Sequence, residues 1–371
     1  MSLRFMKNCL HCSLFALFLL VFQVSAGQTG AKPLDNWLEE HAHDLGGRAV
    51  LLIYQNNRII YSHAVNELSG KQKMIGKMIA RRTGKDSRDV LKDYDAETRI
   101  GIASCSKWLS AALVMTFIDE GRLSLEDTIG RFLPITTQHG KGNITILQCL
   151  SHLTGISSIG LKENKEMMQA GTMASVVEKI AGLDMEGKPG STFHYSSNGL
   201  QLAAAVIEKI SGKDFRTLFN ERIAVPCGMK QTDFGGSPVP LAAGGARSTA
   251  SDYLRFLVMI LQNGMIDGRQ VLSAKSVELM QRNHIIGANI KHSPAEAGNW
   301  GYGFGEWVMD NADKQTRSES GTSPGLFGTF PWVDNRRQYA AILFTFNLKN
   351  KGRGELYRAL KKLVDTWITN H

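Results

Sequence analysis

The chain has 371 residues, 43% hydrophobic and 21% charged, enough to bury a sizeable core in one or two domains and too apolar for disorder. A formal charge of +9 would suit a polyanion, but acids and bases are interspersed and no aromatic-basic nucleic-acid motif appears, so the charge reads as a solvated surface. Of five cysteines, the three beyond residue 100, at wide spacing and odd in number, form neither a disulfide framework nor a zinc pattern, and no metal or organic cofactor is implied.

At the N-terminus, Arg4 and Lys7 precede an apolar run from Leu14 to Val24, followed by the small-residue pattern Val24-Ser25-Ala26. This is the layout of a secretory signal, residues 1–26, cleaved after Ala26. The run is short for a span of about 20 residues and no positive cluster follows it, which favours cleavage over a membrane anchor. The mature protein is therefore expected to be secreted or periplasmic, with no stable membrane anchor. Cys9 and Cys12 leave with the signal; of Cys105, Cys149 and Cys227, which remain, Cys105 reads as a packing residue.

Pro33 to Leu45 has the spacing of an amphipathic helix that can lie on a sheet. Arg48 to Val65 reads as two strands around Gln55-Asn56-Asn57, a hairpin with turn-forming asparagines. The basic segment 69–95 has helical spacing of Met74, Ile75, Met78 and Ile79 but little else to bury; of a membrane-surface helix and an exposed excursion, the excursion is the preferred reading.

Ile100 to Ile129 organises the rest. Apolar positions after Ser104 recur at helical spacing until Gly121, so Ser104 opens a buried helix. A serine there has its N–H among the first-turn donors, at the positive end of the helix dipole, where an oxyanion is stabilised. Lys107 lies three residues on, over the same face, placed to take the hydroxyl proton once burial lowers its pKa. A single S-x-x-K tetrapeptide is weak evidence, because an N-cap serine followed by a surface lysine looks the same.

Beyond this helix, 123–133 and 144–156 carry short helices and turns, with His152 read as ordering its loop. Met167 to Gly187 and Gly199 to Phe219 are further helical patterns. Between them, in Phe193-His194-Tyr195-Ser196-Ser197-Asn198, Tyr195 is either a core residue or, beside an ammonium, a proton carrier. Leu241 to Gly264 is a glycine turn, a cap at Ser248 or Thr249, and an apolar helix. Trp300–Met309, Gly325–Val333 and Gln338–Thr345 are β-type runs, and Gly354 to Ile368 is a closing helix. Strands at both ends with helices between place both termini in one sheet.

The order of these parts resembles the penicillin-recognising serine hydrolases, most closely the branch of class C β-lactamases, D-Ala-D-Ala carboxypeptidases and esterases. The resemblance spans nearly the whole mature chain and rests on S-x-x-K at Ser104, ITILQCLSHLTGI at Ile144, FHYSSNGLQLAAAVIEKISG at Phe193, CGMKQTDF at Cys227, AAGGARSTASDYLRF at Ala242 and SGTSPGLFG at Ser320. It implies an α+β fold: a central antiparallel sheet flanked by helices (33–122 and 299–371) joined to a mainly helical domain (123–298), with the site between them. It also implies Ser104 as nucleophile, Lys107 as base or its electrostatic partner, Tyr195 as second proton carrier, and the N–H groups of Ser104 and Thr322 as the oxyanion hole.

Ser197, Asn198, Glu319, Ser320 and Gly321 would then line the substrate site. Two departures stand out. Where the family has asparagine two residues after the tyrosine, this chain has Ser197, with Asn198 next; and Glu319 stands where a lysine or histidine helps bind a substrate carboxylate. Like charges repel, so a substrate lacking that carboxylate, or carrying an amine, fits better than a penicillin or a peptide ending in D-alanine. The reading is a secreted serine hydrolase of an ester or amide bond, acting through an acyl-enzyme on a small-molecule or peptide substrate, with no nucleic acid. The alternatives are a β-lactamase or D-alanyl-D-alanine carboxypeptidase, and a non-catalytic binder of cell-wall fragments or protein; intact Ser104, Lys107 and Tyr195 speak against the last.

Overall fold

A computed structural model describes residues 30–84, 86–160, 166–169, 171–310, 313, 316–349 and 352–370. Residues 1–26, where a signal is expected, lie outside the described residues. Among these residues no helix is long and apolar enough to cross a membrane.

The chain enters through helix α1 (Lys32–Glu40), which buries Leu34 and Leu38, then the hairpin of β1 (Arg48–Gln55) and β2 (Arg58–Asn66). Asn56 (φ 50°) and Asn57 (φ 59°) make the two-residue turn, whose left-handed positions asparagine tolerates better than most residues. β1 is buried on both faces, which is why its sequence reads as an unbroken apolar run. The other strands of this sheet come from the far end of the chain: β3 (Gly301–Tyr302), β4 (Trp307–Val308), β5 (Ser320–Thr322), β6 (Gly328–Asp334) and β7 (Tyr339–Phe346). The seven-stranded order is β2-β1-β7-β6-β5-β4-β3, antiparallel throughout. β1 meets β7 in register from Ala49 opposite Thr345 to Gln55 opposite Tyr339, so the two ends of the chain share one sheet.

One face of the sheet is covered by α1 and the closing helix α7 (Arg353–Thr369), which contributes Tyr357, Leu360 and Val364 to that core. Against the other face lies α6 (Ala250–Leu261), capped by Thr249, whose hydroxyl accepts from Asp252 N–H. Behind α6 runs α4 (Ser106–Asp119), joined to it by an edge-on contact of Trp108 with Phe256 at 5.9 Å. Every residue of α4 from Ser106 to Phe117 is buried, because α5 (Asn198–Ser211) covers its remaining side. The helical patterns read from sequence are shorter than expected. The 167–187 pattern is helical at 167–169 and again over Met173–Ala181, the latter begun by a Thr172 capping box; the 199–219 pattern is interrupted at Gly212, which takes φ 72°.

The β3–β4 connection passes directly over α4. Gly305 takes φ 77°, and a Cβ there would lie 2.4 Å from the Lys107 carbonyl oxygen and 2.8 Å from Ala111 Cβ. Gly305→Ala therefore combines left-handed strain with a clash against a helix that cannot retreat. It should lower stability by about 2 kcal/mol or more, read as a lower urea midpoint at unchanged slope.

Candidate active site

Ser104 lies in a single 3-10 turn, Ala103–Cys105, that runs straight into α4. The turn needs φ 45° at Ala103, a strained value for a residue with a Cβ. Buried hydrogen bonds hold it there. Ser106 Oγ donates to the Ala103 carbonyl at 2.6 Å and accepts from Ala246 N–H at 3.0 Å; Tyr253 OH donates to the Cys105 carbonyl at 2.8 Å. Ser104 itself remains half-exposed.

Lys107, 3% exposed, reaches back along α4. Its Nζ donates to Ser104 Oγ at 3.1 Å and to the Ala243 carbonyl at 2.8 Å, and lies 4.6 Å from the centre of the Tyr195 ring. Among the described residues it has no carboxylate partner, so burial lowers its pKa from 10.5 to about 7. An amine in this state is a base within reach of a hydroxyl proton.

Tyr195 follows the short strand Thr192–His194, and its backbone N–H donates to the His292 carbonyl at 3.1 Å. Its ring packs on His152, Trp307 and Tyr302, with centres 4.8, 5.2 and 5.9 Å away. The Tyr195 hydroxyl adjoins that of Ser104; burial pushes the phenol well above its ordinary pKa, so it is neutral and keeps its proton. His152 is buried beneath it, with Nε2 3.0 Å from the Tyr302 hydroxyl. Burial, followed by the nearby Lys107 charge, drives the His152 pKa well down, which keeps the imidazole neutral.

The end of β5 closes the site. Ser323 Oγ donates to the Gly305 carbonyl at 2.9 Å and to the Ser104 carbonyl at 3.3 Å, tying the residue after Thr322 to the serine turn. The Cys105 thiol is turned away toward the Thr329 carbonyl at 3.7 Å, and burial pushes its pKa up, as a packing role requires. Among the described residues no group of His, Cys, Asp or Glu is arranged to hold a metal ion.

The Beta-lactamase family model matches residues 34–365. The chain belongs to the β-lactamase family. Its fold matches the crystal structure of a putative β-lactamase from Bacteroides dorei with a TM-score of 0.77 at 24% identity, covering 92% of this chain and 100% of that one. It also matches EstCE1, a hydrolase with promiscuous acyltransferase activity, with a TM-score of 0.70 at 22% identity, covering 90% and 98%. Penicillin-binding protein 4 of Amycolatopsis lactamdurans is 25% identical over 290 residues, 69% of this chain and 74% of that protein.

Within this β-lactamase-family site, several residues expected to face substrate do not. Asn198 is buried, and its amide donates to the Ser157 carbonyl at 2.8 Å, so it ties α5 to a loop; Ser197 is half-exposed at the start of α5. Register decides the β5 residues. Ser320 pairs with Asp334 and Thr322 with Trp332, so both side chains share the α7 face, while Gly321 opposite Val333 faces α4. Ser320 accordingly lines the cavity beside Phe330 and Tyr357, and Thr322 Oγ1 donates to the Pro331 carbonyl at 2.6 Å, leaving only backbone to contribute near Ser104. Glu319 is exposed at the start of β5 and pairs with Arg336 at 3.3 Å; nearby Arg317 is held by Gln281, Asn263 and Asn335.

Glu306 was not anticipated. It is fully buried beneath Gly321, where an added Cβ would come 2.1 Å from its Oε2. Neither carboxyl oxygen meets a donor at hydrogen-bond geometry, although the Trp108 indole and Gln281 amide adjoin it. Burial raises its pKa well above the usual carboxylate value, more than Arg317 lowers it. The one available signal was an acid inside the otherwise apolar and glycine run Trp300–Met309. A carboxyl raised in the native state supports the fold at low pH and loses that contribution as pH rises. Between about pH 5 and about pH 7, where the lowered His152 acts oppositely in both proteins and Lys107 has not begun to, the stability of the wild type relative to Glu306→Gln should fall, measured by urea unfolding of the two side by side.

Proposed function

We propose that the protein is an exported serine hydrolase that cleaves an ester or amide bond through an acyl-enzyme on Ser104. The observation that carries this reading is the buried Lys107 amine, 3.1 Å from Ser104 Oγ and lowered to about 7. Ser104 Oγ attacks the substrate carbonyl carbon while its proton passes to Lys107. The carbonyl oxygen, now an oxyanion, is assigned to the backbone N–H groups of Ser104 and Thr322. Collapse of the tetrahedral intermediate breaks the bond to the leaving alcohol or amine, which takes a proton through Tyr195. Water then attacks the acyl carbon, its proton returns through the same groups, and the acid departs with Ser104 restored.

Glu319 is paired with Arg336, so that pair offers no net positive charge to a substrate carboxylate. This supports an uncharged or amine-bearing acyl donor. The second reading, a β-lactamase or D-alanyl-D-alanine carboxypeptidase, is favoured by the 25% identical relative named penicillin-binding protein 4.

Intact-mass spectrometry after exposure to a fluorophosphonate, and separately to a penicillin, decides between them. We expect the fluorophosphonate to add to the wild type and not to Ser104→Ala, with no penicilloyl adduct. A penicilloyl adduct on Ser104 supports the second reading, and equal labelling of Ser104→Ala refutes both. Lys107→Met, which keeps the volume and removes the base, should reduce turnover of a chromogenic ester by about 10²–10⁴-fold.

A further inference from the structure

The helix α2 (Gly70–Thr83), inserted between β2 and the Ser104 turn, is well built at both ends. Ser69 and Gln72 form a reciprocal capping box, and Gly84 closes the helix in the left-handed conformation at φ 67°. Only Gly76 and Ala80 are buried, against the short helix Ser87–Leu91; a Cβ on Gly76 would lie 2.6 Å from Leu91 Cδ2. The opposite side is open and carries four large apolar residues, Met74 57% exposed, Ile75 43%, Met78 64% and Ile79 46%, with Lys71 and Arg82 above and below them in the same arc. At about 100° per residue these four span an arc of about 140°. An arrangement read from sequence as an exposed excursion thus spends its four largest apolar side chains on solvent.

Single exposed apolar residues are ordinary, but four together on one helical face mark a contact surface. Charge identifies what it contacts. Lys71, Lys73, Lys77, Arg81 and Arg82 stand on the same helix with no acid among residues 70–84, and among the described residues none of the five pairs with a carboxylate. A second copy of the chain would set this cationic helix against its own image, in a protein already at +9. An anionic lipid surface answers both features at once, with phosphates for the lysines and arginines and the acyl boundary for methionine and isoleucine. The position suits this. α2 continues from β2 at one edge of the sheet, while β5, which closes the Ser104 site, lies four places along it.

We propose that α2 is a peripheral membrane-docking helix that seats Met74, Ile75, Met78 and Ile79 in the headgroup region of an anionic bilayer. Co-sedimentation of the protein with phosphatidylglycerol-rich vesicles, beside vesicles of phosphatidylcholine alone, tests this. Binding should appear only on the anionic vesicles and weaken with added salt. It should drop by more than about tenfold in Met78→Asp/Ile79→Asp and in Lys71→Glu/Lys73→Glu/Lys77→Glu, with unchanged turnover of a soluble ester. Equal binding to both vesicle types, no binding to the anionic ones, or full binding by the variants overturns the proposal. So does lipid-free self-association that the same variants abolish, which would assign the surface to a second copy.

Discussion

The constraint on which the rest of this structure depends is a lysine amine buried without a carboxylate. Lys107 has two neutral acceptors, Ser104 Oγ and the Ala243 carbonyl, and neither can compensate an ammonium for the water it has lost. Keeping it dry requires α4 to be covered on every side, by α6 and the sheet, by α5, and by the β3–β4 connection at Gly305. The polar groups carried into that interior are matched to backbone: Ser106 to Ala103 and Ala246, Ser110 to the Ala242 carbonyl at 2.6 Å. The segment 242–246 thus positions the base and braces the serine turn together.

The same burial acts on the acid nearby. Glu306, under Gly321, is driven toward its protonated form as Lys107 is driven toward its free amine. Lys107 and Glu306 therefore both shed charge, and among the described residues neither relies on an ion pair. Tyr195, raised rather than lowered by the same environment, holds its proton, so in the proposed mechanism Lys107 accepts from Ser104 and Tyr195 relays.

Much of this was legible in the amino-acid sequence, where the signal is local. The Asn56-Asn57 turn, the unbroken apolar β1, the helix ended at Gly121 and the three-residue offset of Ser104 and Lys107 all depend on neighbours within a few residues. What depends on distant partners was not. Ala243 reaches Lys107 across 136 residues, and nothing in Ala-Gly-Gly-Ala names a carbonyl as its contribution. Ser320 was placed at the substrate because a strand's faces alternate and only its pairing with β6 says which face is which. Asn198 looked like a site residue from its spacing to Tyr195, but the first turn of α5 rotates it toward Ser157. Burial itself, which decides the chemistry of Lys107 and Glu306, is a property of the packed whole.

The account stands on Lys107 being the base for Ser104, and the pH dependence of inactivation by a fluorophosphonate measures that directly. If the buried amine must be neutral to accept the Ser104 proton, the second-order rate rises with pH to a plateau with a midpoint at about 7. Lys107→Arg, always protonated, loses that rise. A wild-type profile flat across this range, or one whose midpoint stays at the ordinary lysine value of 10.5, would contradict it.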